Sequence, residues 1–316
     1  MLPPQTIAKL LALGLVAIFS VYLLKITNQT TQAADGSASH PYRVMLIPAD
    51  GGTEDGTRAD FKPVFDAITQ TTDIHFDIKV GQSYATVIEA ICSDVVEIAW
   101  FGAASYLPAK QRGCAELLAV DVKDNSSSYF SGIYARKESN ILTVSDIQGH
   151  SIAFGDPNST SSFVYPVAMI VDAGLDPIND LKQIRITGSH ANSLKALSEG
   201  QVDVAAASFD SFEKAINQGI IDANAVVVIG KSAPIPNPPL TMSTKLPKEV
   251  KAKLRLAFKN VHKSANISPE MIRGYGGNQV DRYDTVITDD ILAPALVVIS
   301  NVTSDMRSAI LAKANK

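Results

Sequence analysis

From Tyr42 onward, short apolar runs alternate with segments of helical spacing, and the whole pattern occurs twice. "YRVMLIP" (Tyr42–Pro48), "IHFDIKVG" (Ile74–Gly81) and "VEIAWFG" (Val96–Gly102) read as strands. Between them, "RADFKPVFDAITQTT" sets Phe61, Val64, Phe65 and Ile68 at helical spacing, and "YATVIEAIC" returns to a helix. Such alternation commits a chain to the α/β class, with mostly parallel sheets covered by helices. In the second set, "YFSGIYARK" (Tyr129–Lys137), "SIAFG" (Ser151–Gly155), "DLKQIRITG", "VDVAAAS" (Val202–Ser208) and "AVVVIGKS" (Ala225–Ser232) supply strands. "VSDIQG" is expected to begin a connecting helix, and "HANSLKALSEGQ" is an amphipathic helix with a glycine stop.

The proline-dense "APIPNPPLTMS" (Ala233–Ser243) fits an extended crossing rather than a helix. A helix, "PKEVKAKLRLAFKNVHKS", and a tail of mixed character follow. The simplest arrangement has lobe one from 41–130 plus 233–316 and lobe two from 131–232, with a cleft between them. Ligands of open α/β sheets bind beyond the carboxyl ends of strands, which is where the notable loops fall.

The formal net charge of −4 argues against a broad nucleic-acid surface, which needs clustered Lys and Arg. Residues 1–33 form a separate segment. "LLALGLVAIFSVYLL", between Lys9 and Lys25, is short for a membrane span of about 20 residues and suits the core of an export signal. Cleavage is expected near Ala33 or Ala34; an uncleaved anchor is the alternative, and 34–40 is a spacer. Cys92 and Cys114, in a chain exported to an oxidising compartment, are most simply a disulfide, the alternative being two buried thiols.

"FGDPNSTSSFVYP" (Phe154–Pro166) gathers hydroxyls where a helix begins. A helix start leaves backbone N–H groups unpaired and carries partial positive charge, so Ser159, Thr160 and Ser161 suit a tetrahedral oxyanion. Capping alone is the ordinary explanation, but one cap needs one such residue. Pro166 either kinks this helix or marks its true first turn. His190 in "TGSHANSL" follows a strand of the same set, and Asp210 in "VDVAAASFDSFEKA" stands just after another. Each is a helix cap or a ligand contact, Asp210 suiting an ammonium group. Tyr84 and Tyr129 lie near strand ends. "ADGGTEDGT" (Ala49–Thr57) lacks the Gly-Lys-Ser/Thr ending of a phosphate loop. The five histidines show no metal spacing, and neither a Gly-x-Ser-x-Gly elbow nor a catalytic carboxylate pair is evident.

"VEIAWFGAASY", "FGDPNSTSSFVYP", "GSHANSLKAL" and "VDVAAASFDS" stand in the order found in the PhnD-like phosphonate-binding proteins of ABC importers, which the chain resembles from about Tyr42 to the proline-rich crossing. The "DPNSTSS…P" block is the specific element. The resemblance implies a type II periplasmic-binding-protein fold whose two lobes close on ligand. It implies that Ser159, Thr160 and Ser161 hold the phosphonate group, with His190, Tyr84 and Tyr129 contributing. Asp210 corresponds to the acid that pairs with the amino group in aminoethylphosphonate binders. Those binders carry a second acid in the crossing, where this chain has Pro238, leaving Asp50, Glu54 or Asp55 as substitutes.

The resemblance therefore implies an exported, periplasmic, monomeric solute-binding protein, with retention at the inner membrane by an uncleaved N-terminal segment as the alternative. Its partners are a small aminoalkylphosphonate and an ABC permease, with no cofactor, metal, nucleic acid or enzymatic turnover. Phosphite, methylphosphonate or phosphate are the alternative ligands, and a membrane-coupled sensor is an alternative role. An enzyme of the same fold family lacks support, because no His or Cys nucleophile constellation is present.

Overall fold

A computed structural model describes residues 34–48 and 53–316 of the chain. The leader or anchor expected over 1–33, and Asp50, lie outside the described residues. The first strand, β1 (Tyr42–Leu46), pairs in parallel with both β2 (Phe76–Val80) and β3 (Ile98–Trp100). Helix α1 (Glu54–Thr72) connects β1 to β2, and α2 (Tyr84–Cys92) connects β2 to β3. In α1 the predicted stripe Phe61, Val64, Phe65 and Ile68 is buried, Thr53 accepts from Gly56 N at the start, and Asp73 turns left-handed (φ 58°) at the end. Helix α3 (Ala103–Gln111) then leads to β4 (Ala115–Val122).

Two crossings leave this sheet and return to it side by side. The outgoing β5 (Ser128–Tyr129) pairs antiparallel with the returning β11 (Ile235–Pro236), matching Tyr129 to Ile235. Between them lies the second sheet, in order β10 (Val226–Lys231), β6 (Ser131–Arg136), β9 (Val204–Ser208), β7 (Ser151–Phe154), β8 (Gln183–Ile186). Helices α4 (Tyr165–Asp172), α5 (His190–Ser198) and α6 (Phe209–Asn217) connect its strands. The three consecutive alanines of β9 leave room for Tyr134, whose ring stacks on Phe212 at 4.1 Å.

The proline-dense return is extended, as expected. It ends as β12 (Leu240–Ser243), inserted antiparallel between β3 and β4. Prolines lack a donor but their carbonyls still accept. Trp100 Nε1 donates to Pro238 O at 2.8 Å and Phe101 N to Pro239 O at 3.0 Å. After α7 (Lys248–Asn260), β13 (Arg282–Asp284) joins the far edge of the first sheet beside β4.

Two expectations are corrected. "VSDIQG" forms only a short 3-10 turn, Val144–Ile147, not a helix. Of the part 233–316 expected in lobe one, β12 and β13 do belong to the first sheet, but the last two helices, α8 (Ala293–Asn301) and α9 (Ser304–Ala314), do not: Val302 and Ile310 enter the core of the second sheet with Phe154, Phe163, Val167 and Ile184. Val298, Ile299 and Met306 pack against that core as well, so the chain crosses between sheets a third time.

Cys92, the last residue of α2, is bonded to Cys114, just before β4, with Cα atoms 4.9 Å apart. A bridge closing a 22-residue separation restricts the unfolded chain, worth about 3 kcal/mol. Replacing both with serine is expected to lower the unfolding free energy in urea by about 2–4 kcal/mol. An unchanged midpoint would show that the bridge adds no stability.

Candidate functional site

The hydroxyl-rich segment after β7 is held in an unusually wide helical turn. Val164 N donates to Ser159 O at 3.1 Å and Tyr165 N donates to Thr160 O, five residues back rather than four. Pro166 explains why the wide turn stops there. It falls in the first turn of α4, where a missing N–H is tolerated, and it cannot donate to Ser161 O or Ser162 O. Those carbonyls find other donors: Ser131 Oγ to Ser161 O at 2.6 Å and Gly155 N to Ser162 O at 3.1 Å. Ser159 also serves as the ordinary cap, its Oγ accepting from Ser162 N at 3.1 Å. Ser159, Thr160 and Ser161 are all buried.

Two helices of the first sheet begin against this turn. Ala104 N, in the first turn of α3, donates to Thr160 Oγ1 at 3.0 Å. The N-cap of α3 is Gly102, which has no side chain to cap with, so a hydroxyl from the other sheet does the work. Glycine is required there, since a Cβ on residue 102 would stand 2.8 Å from Thr160 Oγ1. Tyr84 N, opening α2, donates to Asp156 Oδ2 at 3.1 Å. Two positive helix ends thus meet this segment, one at the Thr160 hydroxyl and one at the Asp156 carboxyl, an arrangement that favours an anion.

Asp156 and Arg307 hold the turn from the other side. Burial pushes the Asp156 carboxyl up, opposed by N–H donation from Asn158 and Tyr84 and by the Arg307 charge. The guanidinium of Arg307, on α9, donates to Pro157 O and lies 5.5 Å from the centre of the Phe163 ring. Neither residue was singled out from the sequence. Asp156 was hidden within the hydroxyl motif, and Arg307 sits on a helix whose return to the second sheet has no local signature.

His190, the first residue of α5, is fully buried. Its Nδ1 accepts from Ser208 N at 2.9 Å, which leaves the ring proton of the neutral tautomer on Nε2. Nε2 lies 3.4 Å from Ser159 Oγ. A donor therefore faces the hydroxyl turn at a fixed orientation.

Tyr129 and Asp210 lie together elsewhere, lining a cavity of about 330 Å³ with Tyr275, Asn237, Asn278 and Pro238. The rings of Tyr129 and Tyr275 are 6.2 Å apart, and Asn278 Nδ2 donates to Asp210 Oδ1 at 3.2 Å. The cavity and the hydroxyl turn are joined by short stretches of chain. Tyr129 is two residues before Ser131, the donor to Ser161, and Asp210 is two after Ser208, the donor to His190. Lys214, one helical turn beyond Asp210, pairs with Asp60 of α1 and donates to Gly276 O at 3.2 Å, tying the two halves together on that side.

Of the acids suggested as substitutes for the one missing at Pro238, Asp50 lies outside the described residues and the other two are paired. Glu54 and Asp55 pair with Arg58 at the exposed start of α1. Asp121, near the end of β4, lines the cavity instead and was missed. Its signal was present in "LLAVDV", an acid within an apolar strand. Burial, reinforced by the charge of Asp210, pushes the Asp121 carboxyl up to about 7. Among the described residues, no cluster of three or more His, Cys, Asp or Glu is arranged to hold a metal ion.

A family model described as "ABC transporter, phosphonate, periplasmic substrate-binding protein" matches residues 52–289. The chain belongs to this family. Over 217 residues it is 28% identical to the phosphonates-binding periplasmic protein of Escherichia coli, covering 66% of this chain and 64% of that protein. Over 227 residues it is 27% identical to a phosphate-import protein of Mycolicibacterium smegmatis, covering 68% and 70%. The crystal structure of a binding protein component of a Pseudomonas aeruginosa ABC phosphonate transporter superposes with a TM-score of 0.72 at 24% identity, over 87% of this chain and 94% of that one. The architecture is accordingly the two-lobed type II periplasmic-binding-protein fold of the family, one sheet to each lobe.

Asp121 makes stability depend on pH in a defined direction. Its folded pKa of about 7 lies above the ordinary value of 3.8. The folded chain therefore keeps a proton that the unfolded chain has released, and this stabilisation is full below 3.8 and lost as pH rises through 7. The difference in unfolding free energy between wild type and Asp121→Asn is expected to move against wild type between about pH 4 and 7, then flatten. A difference independent of pH would contradict that ionisation.

Proposed function

We propose that this chain is a periplasmic solute-binding protein that captures a small aminoalkylphosphonate, such as 2-aminoethylphosphonate, and delivers it to an ABC permease in the inner membrane. The observation that carries the reading is the burial of the Ser159, Thr160 and Ser161 hydroxyls where the N-termini of α2 and α3 and the Nε2–H of His190 converge. Hydroxyl and N–H donors on a positive helix end are the chemistry that a phosphonate group takes. Ligand stabilises the closed state, with the paired crossings β5 and β11 as the hinge. Tyr129 and Tyr84 wall the ligand, and Asp210 takes its ammonium group. Nothing in this mechanism breaks or makes a covalent bond.

Phosphate is the second reading. It is favoured by the resemblance to the Mycolicibacterium smegmatis protein described as a phosphate importer, and by Pro238 at the position where amine binders carry an acid. Calorimetric titration with 2-aminoethylphosphonate, methylphosphonate, phosphite and phosphate separates the two. The proposal expects the aminated phosphonate to bind tightest; preference for phosphate overturns it.

Thr160→Val keeps the shape of the side chain and removes the hydroxyl. It is expected to cost about 1 kcal/mol of stability, because Ala104 N loses its acceptor. Phosphonate affinity is expected to fall about tenfold or more, as for loss of a hydrogen bond to a charged group. Unchanged affinity in a folded variant would remove Thr160 from the site.

A further inference from the structure

We propose that Asp121 is the second acid of the ligand site, holding, together with Asp210, a cationic group on the ligand at the end away from its phosphonate. The inference rests on the phosphonate reading and names the residue that sets which phosphonates are taken.

Asp121 is 5% exposed and lines the same cavity as Asp210 and Tyr129. The carboxyl is partly satisfied: Oδ2 accepts from Asn237 Nδ2 at 3.2 Å, and the backbone N–H groups of Asp121 and Tyr275 favour its ionised form. The other oxygen, Oδ1, is buried and has no hydrogen-bond partner among the described residues. A buried acceptor left in this condition is costly unless a partner arrives. The charge of Asp210 opposes ionisation of Asp121, and none of the described residues forms an ion pair with the Asp121 carboxyl.

The surroundings fit an ammonium or related cation. Asp121, Asp124 and Asp210 and one lysine, Lys123, line the cavity, so carboxyl groups outnumber cations, and the rings of Tyr129 and Tyr275 add aromatic faces that attract cations. The other groups around Asp121 are compatible. Tyr283 is buried close enough to feel its charge, Lys123 and Asp124 lie on the loop leaving β4, and Asn278 donates to Asp210. A cation between Asp121 and Asp210 relieves their mutual repulsion and gives Oδ1 its missing donor.

The position also accounts for Pro238. Asn237, the residue before it, is fastened to both Asp121 O and Asp121 Oδ2, so β4 and the crossing meet at this point. An acid on β4 thus reaches the same cavity that an acid in the crossing would reach, and proline at 238 leaves the cavity no less acidic.

Wild type and Asp121→Asn are titrated calorimetrically with 2-aminoethylphosphonate and with methylphosphonate, which has no amino group. Asparagine keeps the size and an acceptor for Asn237 but not the charge. The expected result is a loss of about 10- to 100-fold in affinity for 2-aminoethylphosphonate, with methylphosphonate within about threefold of wild type. Equal losses for both ligands, or no loss for either, overturns the assignment while leaving the phosphonate reading intact. Binding of neither ligand by wild type overturns both. Thermal unfolding identifies a variant that has lost its fold; Asp121→Ser is then read in its place against the same criteria.

Discussion

The hydroxyl of Thr160 caps a helix that belongs to the other sheet. Helix α3 begins at a glycine that cannot cap itself, and Ala104 N turns to Thr160 Oγ1 across the interface between lobes. Asp156 does the same for Tyr84 N at the start of α2. The two lobes are therefore joined through helix-end amides that have no partner within their own helices, the kind of group that makes an anion site. The hydrogen bonds that position the proposed site are also hydrogen bonds between the lobes. On the proposed reading, a ligand oxyanion that shares these donors alters the strength of closure directly.

The wide turn at 159–165 is the local device that makes this possible. A regular helix would return each carbonyl to an N–H four residues on and leave Ser161 O and Ser162 O to position 165 and to Pro166, which has none to give. Instead Ser131 and Gly155 take these carbonyls, which pins the turn to β6 and to the end of β7. His190, fixed by Ser208 N, and Arg307, reaching Pro157 O from the C-terminal helix, brace it from two further directions. Each brace comes from a different part of the chain, so the geometry of the hydroxyls depends on the whole second lobe being folded.

Much of this was legible because it is local. The strand and helix rhythm follows from apolar spacing, and the hydroxyl motif and His190 fall at strand ends that the rhythm marks. What could not be read depends on contacts distant in sequence. Arg307 has no local pattern linking it to Asp156, and nothing in the spacing of the tail that carries it assigns that tail to the second sheet. Asp121 is separated by more than a hundred residues from Asn237, the contact that brings it to the cavity. Glu54 and Asp55, closer to the expected acids in appearance, are used up by Arg58. An acid inside an apolar strand was the better signal than acids in a solvated turn, because burial has to be compensated and exposure does not.

A crystal structure of the protein with 2-aminoethylphosphonate bound tests the central claim most directly. The expected result places the phosphonate oxygens against the Ser159–Ser161 turn and His190, between the N-termini of α2 and α3, with the amino group directed toward Asp210. Phosphonate density elsewhere in the molecule, with the turn and both helix ends untouched, would contradict the account.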